Sequence, residues 1–302
     1  MQEFKLELKA LRILEINMSR FDPKAYKKRI IATWNEFAPK YHADWASKDM
    51  GPFKSTSKVV KISKIKNGDI ILDLACGTGV VTKKISSKIG ISGKVIGVDI
   101  SPGPIEIARK WNTRKNVKFV VSDVEKMKFD QEFDAVTCQY GLMFFPNIQL
   151  ALRNVRKFLK KDGRITVAVH GNKKSTPYFS CISNAVLRFI PDFIPLGTPT
   201  VHRFGTKNLL RGIFTKAGFK KIKIYELNFR YSPGTFENYW KDYFTNLTTP
   251  MKKKFKSLDA RQFVAMKKMA RKNTRRFTKN GKIIFPWKVL ILTAVNPKKL
   301  SD

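Results

Sequence analysis

Three carboxylates stand at the ends of short apolar runs, and their surroundings restrict what they can do. In the segment Ile71-Leu72-Asp73-Leu74-Ala75-Cys76-Gly77-Thr78-Gly79, an acid sits inside the run and two glycines follow it. Glycines there let the backbone turn sharply and approach a ligand with no Cβ in between. Burying Asp73 is costly unless a cation or several donors meet it, and the ammonium of a bound amino acid is such a partner. Asp99 follows in VIGVDIS, about twenty residues beyond Gly79, where a carboxylate can take both hydrogen bonds of a ribose diol. Asp123, in FVVSDVE, lies where it can accept from an adenine amino group. A dinucleotide fingerprint would place glycine or alanine at Thr82, and a P-loop would supply a lysine after the glycines; neither is present. The three acids therefore suit a ligand with a methionine-like end, a ribose and an adenine, positively charged and without phosphate.

Other residues could act on a second substrate. His170 ends the apolar run RITVAVH; histidine alone titrates near neutrality without a shift, which makes it the first candidate for a general base. The competing view is a structural histidine, and Tyr140 could equally orient a substrate or simply pack. His42 and His202 read as surface or packing residues. Tyr26, Ile30, Trp34, Phe37 and Tyr41 recur three or four apart, on one helical face. Tyr26, Trp34 and Tyr41 could close over a cationic centre, a contact worth roughly 0.5–2 kcal/mol, or form ordinary core. Cys76, Cys138 and Cys181 are far apart and form no CxxC pair, so neither a disulfide framework nor a metal site is expected. A reduced, cytoplasmic setting fits them.

The elements that must position these residues follow from periodicity. A helix is predicted over 22–42 with a break near Pro39, and a second over 55–65. Apolar runs of strand length then alternate with helical patterns: strands at ILDLA, 94–99, 117–121, 133–138 and 164–170, helices over 80–89, 104–111 and 148–159. Such alternation implies a parallel sheet covered on both faces, with the ligand at the carboxyl ends of the strands. Beyond Gly171 it breaks. Residues 175–204 are poorly periodic; a helix over 206–217, a strand over 221–229, a helical stretch over 236–277 and a last strand over 283–295 follow. The fold class expected is α/β: a Rossmann-like, seven-stranded, mostly parallel sheet with an antiparallel last strand and a helical cap. The cap comprises an N-terminal extension, 1–54, and lid segments 175–204 and 236–278 within a catalytic domain, 55–302.

With 302 residues and 43% apolar composition the chain can bury one large core. The first twenty residues contain no apolar run approaching the roughly 18 residues of a membrane span, and nothing there reads as a secretory signal. A formal charge of +37 creates a field that attracts nucleic acid or anionic lipid without specifying either. The densest basic stretch, 251–282, has Asp259 as its only acid, so any electrostatic docking face includes it. Contact there with nucleic acid, or with the inner face of a membrane, is one reading; a lysine-rich solvated surface is the other. No obligate protein partner is evident.

LDLACGTG, VIGVDISPG, FDAVTCQYGLMFFPN and LKKDGRITVAVHG together resemble the ubiquinone and menaquinone biosynthesis group of class I S-adenosylmethionine-dependent methyltransferases. The match covers 71–171, with looser similarity at WNEFAPKY, FENYW and FPWKVLILTA. The resemblance implies an enzyme whose cofactor is S-adenosyl-L-methionine. By it, Asp73 and the Gly77-Thr78-Gly79 loop hold the methionine end, Asp99 the ribose, and Asp123 with Val124 the adenine. Ala75, Cys76, Ile100, Ser122 and Gln139 complete the implied cofactor wall, with Gln139 and Tyr140 bordering the reacting centre. Pro104 departs from the methionine usual after SPG, a substitution tolerated in a helix's first turn. The implied acceptor is a small, apolar or aromatic molecule resembling a quinone precursor. Two alternatives stay open: a nucleic-acid methyltransferase using the basic insertion, although QYGLMFF replaces the Pro-Pro-aromatic signature of amino-directed enzymes, and a non-enzymatic binding protein on the same fold.

Overall fold

The computed structural model describes residues 21–297; the N-terminal twenty, read above as neither span nor signal, lie outside the described residues. Five apolar runs become strands β1 (Ile70–Leu74), β2 (Lys94–Asp99), β3 (Val117–Val121), β4 (Phe133–Gln139) and β5 (Leu159–His170). The first four and β5 pair in parallel. β1, β2 and β4 are buried along nearly their whole length, which is why they appear as unbroken apolar runs: parallel strands are covered on both faces. Three further strands, β6 (Lys220–Gly234), β7 (Thr278–Lys279) and β8 (Lys282–Val295), complete an eight-stranded sheet. Seven lie in the order β3-β2-β1-β4-β5-β8-β6, with β8 antiparallel to both neighbours. The added member is the two-residue β7, folded onto β8 through Asn280 and Gly281. Both turn residues have positive φ, 49° and 72°, as a two-residue hairpin loop demands.

Helices α1 (Pro23–Tyr41), α2 (Thr56–Ile62), α3 (Val80–Ser86), α4 (Pro102–Trp111) and α5 (Ile148–Phe158) surround the first half of the sheet. In α5 the side chain of Asn147 caps the helix by accepting from Leu150 N. Ile148, Ala151, Leu152 and Val155 then fall on one buried face, the spacing that packs a helix against a sheet. Register sets the site: Asp73 stands opposite Gly97 and Thr137, and Asp99 opposite Val121. Strand order reverses between β1 and β4, so the crevice beyond their carboxyl ends is the place where such sheets bind ligands.

Several element boundaries differ from expectation. The helix does not break at Pro39; α1 carries that proline in its last turns and continues as a π-helix, His42–Ala46. The segment 175–204, read as poorly periodic, contains a regular helix, α6 (Tyr178–Phe189), with Tyr178, Cys181, Ile182, Ala185 and Val186 on its buried face. After α7 (Lys207–Lys216) and β6, the single stretch expected over 236–277 is three helices: α8 (Phe236–Thr245), α9 (Thr249–Lys254) and α10 (Ala260–Thr274). The breaks fall at Thr248, ahead of Pro250, and at Asp259, which forms a capping box with Gln262. Among the described residues no helix is long and apolar enough to cross a membrane, and no cluster of His, Cys, Asp or Glu could hold a metal.

Candidate active site

The loop after β1 turns through Ala75, Gly77 and Gly79, all at positive φ (48°, 55° and 83°). A Cβ at Gly77 would meet nothing within 4 Å, so this turn opens onto free space. At Gly79 it would lie 3.1 Å from Ala108 and Phe119; that glycine serves the turn and helix packing. β4 likewise ends on a non-glycine residue in the left-handed region, Tyr140 (φ 60°). The two ends touch: a Cβ at Gly141 would stand 2.3 Å from that of Ala75. Two such conformations side by side store local strain, which concentrates at functional sites.

The loops close around one cavity of about 370 Å³. Its wall includes Asp73, Ala75, Cys76, Gly77, Thr78, Asp99, Ile100, Ser122, Asp123, Val124, Gln139, Tyr140 and His170, and from α1 it includes Tyr26, Trp34 and Tyr41. Every residue that the sequence assigned to cofactor, acceptor or cap therefore lines it except Gly79, which packs against Ala108 and Phe119. Pro104 lines it too.

Each acid has a distinct environment. Asp73 is buried, and its two oxygens accept from Thr82 Oγ1 (2.6 Å) and Thr137 Oγ1 (2.7 Å). Two hydroxyls thus meet the need for donors that the sequence left to a ligand's ammonium. Burial, only partly offset by those hydrogen bonds, pushes its pKa up to about 6. Asp99 accepts from Gly77 N (3.0 Å) and Ser101 N (2.9 Å), tying the glycine loop to the end of β2. Its pKa is also raised by burial, against the pull of those N–H groups. Asp123 accepts from Glu125 N at 3.0 Å and from Lys27 Nζ at 2.7 Å. Lys27 also reaches Glu125 at 2.5 Å.

The far wall is aromatic. Trp34 meets Tyr41 edge-on (5.3 Å between centroids), Tyr41 meets Trp45, and Trp45 meets Tyr178, Tyr231 and Trp287. His170 stacks on Tyr140 at 4.2 Å and contacts Phe179 and Trp287. Burial among these rings, with a smaller effect from His202, pushes its pKa down to about 3, so the imidazole is neutral and a weak base. The Tyr140 hydroxyl is engaged by Pro52 O (2.9 Å) and Ser55 Oγ (2.7 Å), and burial raises its pKa. His202 Nδ1 lies 2.7 Å from Gly171 O. Cys76 and Cys138 are buried free thiols with raised pKa values.

Sequence reasoning passed over three participants. Lys27 and Glu125 line the cavity, yet Lys27 is 96 residues from Asp123 in the chain, and one lysine among many carries no signal. His42, read as packing, places Nδ1 2.9 Å from Thr78 Oγ1 in the glycine loop.

Residues 65–218, just over half of the 302-residue chain, match the family described as methyltransferase domain. The demethylmenaquinone methyltransferase of Staphylococcus saprophyticus is 31% identical over 180 residues, spanning 55% of this chain and 77% of that protein. That of Lactobacillus johnsonii is 28% identical over 186 residues, spanning 57% and 76%. Among solved structures, the YcgJ protein of Bacillus subtilis superposes with a TM-score of 0.55 at 19% identity, covering 81% of this chain and 99% of that one. A Haemonchus contortus phosphoethanolamine N-methyltransferase 2, solved with S-adenosyl-L-methionine, gives 0.50 at 14%, covering 81% and 53%; both show the shared fold. With this fold, its cavity at the strand ends and these relatives, the chain belongs to the methyltransferase-domain family and is a class I S-adenosylmethionine-dependent methyltransferase.

Proposed function

We propose that this enzyme methylates a small, uncharged apolar or aromatic acceptor of quinone-precursor type. One observation carries the reading. In a chain with 60 basic and 23 acidic residues, the cavity wall includes Asp73, Asp99, Asp123 and Glu125, against Lys27 as its one lysine or arginine among the described residues, and that lysine is already paired. Such a wall favours a cationic, phosphate-free nucleoside and repels phosphate.

S-adenosylmethionine supplies a methyl group on a positively charged sulfur, open to in-line displacement. The residues fit it: Gly77 leaves a cradle that any side chain would fill, and the acids match its ammonium and hydroxyl donors. In this reading Asp73 and the loop from Ala75 to Thr78 take the methionine end, Asp99 and Ile100 the ribose, and Ser122, Asp123 and Val124 the adenine. Gln139, Tyr140 and His170 border the acceptor, and Tyr26, Trp34 and Tyr41 roof the cavity. Aligning nucleophile and methyl while excluding water is the main task of the protein. A neutral His170 stacked on Tyr140 suits orientation of an aromatic ring better than strong proton abstraction.

A lipid-soluble acceptor also gives the basic insertion a role, as the face that meets an anionic membrane beside the cavity. Tyr243, Asn246 and Leu247, in the lid segment just ahead of the basic stretch 251–282, line the cavity. A phosphodiester acceptor fits less well, because among the described residues the one lysine or arginine of the wall, Lys27, is held by Asp123 and Glu125. The test is transfer of labelled methyl to quinols, phenols, lipids, RNA and DNA, with Asp99→Ala as control. Label in a quinol or phenol supports the reading; label only in nucleic acid would overturn it.

A further inference from the structure

Helix α1 lies across the ends of four parallel strands and is fastened to the loop after each. Tyr26 Oη donates to Phe144 O (3.1 Å) beyond β4. Lys27 Nζ donates to Asp123 (2.7 Å) and Glu125 (2.5 Å) beyond β3. Asn35 Oδ1 accepts from Gly103 N (2.8 Å) beyond β2, and His42, just past α1, meets Thr78 beyond β1. The approach at Gly103 is close: a Cβ there would stand 2.9 Å from Asn35 Oδ1 and 3.0 Å from its Cα, so α1 or its Asn35 side chain would have to shift for a larger residue. Outward, Glu36 accepts from Thr249 N (2.9 Å) and Oγ1 (3.0 Å), which ties the same helix to the start of α9.

The inner face of α1, including Tyr26, Lys27, Ile30, Trp34 and Tyr41, is cavity wall. Lys27 makes the only ion pairs among these fastenings. Its side chain and that of Asp123 are each 18% exposed, and that of Glu125 is 8% exposed, so salt screens the pairs little. Each carboxylate oxygen has a second acceptor site, which leaves Asp123 able to take an adenine amino group while Lys27 holds it.

We infer that Lys27 is a positioning residue for the cofactor: it fixes Asp123 at the adenine end and holds α1 shut, so cofactor exchange requires this pair to open. The inference rests on the assignment of Asp123 to the adenine. Lys27→Met keeps the aliphatic stem and removes the charge; Lys27→Arg keeps the charge.

The experiment is stopped-flow release of S-adenosylhomocysteine from the full chain, followed by tryptophan fluorescence. Lys27→Met is expected to speed release about tenfold, a modest share of what breaking a half-buried charge pair costs, and Lys27→Arg to restore much of the slow release. Preference for S-adenosylhomocysteine over its 6-oxo analogue, which lacks the amino group, should also fall in Lys27→Met, a change that looser packing alone would not produce. If Lys27→Met fails to fold, Glu125→Gln removes the other ion pair of Lys27 from the loop side and should speed release in the same direction. A folded variant that releases at the wild-type rate with unchanged 6-amino preference overturns the inference. Faster release without loss of that preference would leave α1 as a lid and overturn the assignment of Asp123 instead.

Discussion

The cavity and the basic insertion are opposite in charge though folded from the same lysine-rich chain. The cavity wall gathers four acids, each near the end of one of the first three strands or just beyond it, where the sheet fixes direction and depth. The insertion, 251–282, has one acid among its lysines and arginines; α9 has no buried residue, and Lys267 and Arg271 share Glu237 as partner. Bulk charge therefore describes the surface, whereas strand-end positions describe the chemistry. A net +37 alone would point to an anionic partner, nucleic acid or lipid alike; the acids of the cavity wall point to a cationic ligand instead.

The largest effect expected from disturbing this contrast is at Asp99. Asp99→Ala removes the acceptor for Gly77 N and Ser101 N and, in the proposed reading, for the ribose, and should weaken S-adenosylmethionine binding by about a hundredfold or more. Calorimetry would read this, and a near-wild-type affinity would detach the acid from the cofactor.

Next comes pH. The raised pKa of Asp73, about 6, means that the folded apoprotein keeps this proton to higher pH than the unfolded chain does. Its contribution to apoprotein stability is therefore fully present below the usual carboxylate pKa and lost as pH rises through about 6. Cofactor binding has the opposite sign, because an ammonium favours the ionised carboxylate. Affinity should rise about tenfold between pH 5 and pH 7 and then level off. His170, neutral throughout that range, adds nothing to the slope. A flat profile, or the same slope in Asp73→Asn, would remove Asp73 from contact with the ammonium.

A smaller effect is expected in the aromatic wall. Trp34→Ala removes an edge-on contact with Tyr41 and should raise the acceptor KM about three- to tenfold while S-adenosylmethionine affinity moves less. Equal loss on both sides would make Trp34 part of the cofactor site. The smallest effect on chemistry belongs to the insertion. Replacing Lys252, Lys253 and Lys256 with glutamine should leave cofactor affinity unchanged while reducing sedimentation with anionic vesicles, and added salt should do the same to the wild type. Equal binding to neutral vesicles would remove the electrostatic account of that face.

The sheet and the acid set were legible because each is encoded locally. A buried parallel strand is a short apolar run, and Asp73, Asp99 and Asp123 each stand next to one. What escaped notice depends on contacts between distant segments: Lys27 with Asp123, His42 with Thr78, Glu36 with Thr249. The continuation of α1 through Pro39 was hidden because the lost N–H bond and the ring's crowding of the preceding turn are offset by the helix's fastening to the loops, which no local pattern shows. The burial of His170 among Tyr140, Phe179 and Trp287, which decides its protonation, is likewise set by segments far apart in the chain.

The most direct test of the central claim, that an acidic, phosphate-free cavity governs this enzyme despite its basic surface, is a calorimetric comparison of S-adenosylmethionine, NAD and ATP at low and moderate salt. Saturable one-to-one binding of S-adenosylmethionine, nearly independent of salt, with none for the two phosphate-bearing nucleotides, is the expected result. Binding of NAD or ATP with equal affinity at both salt concentrations would contradict it.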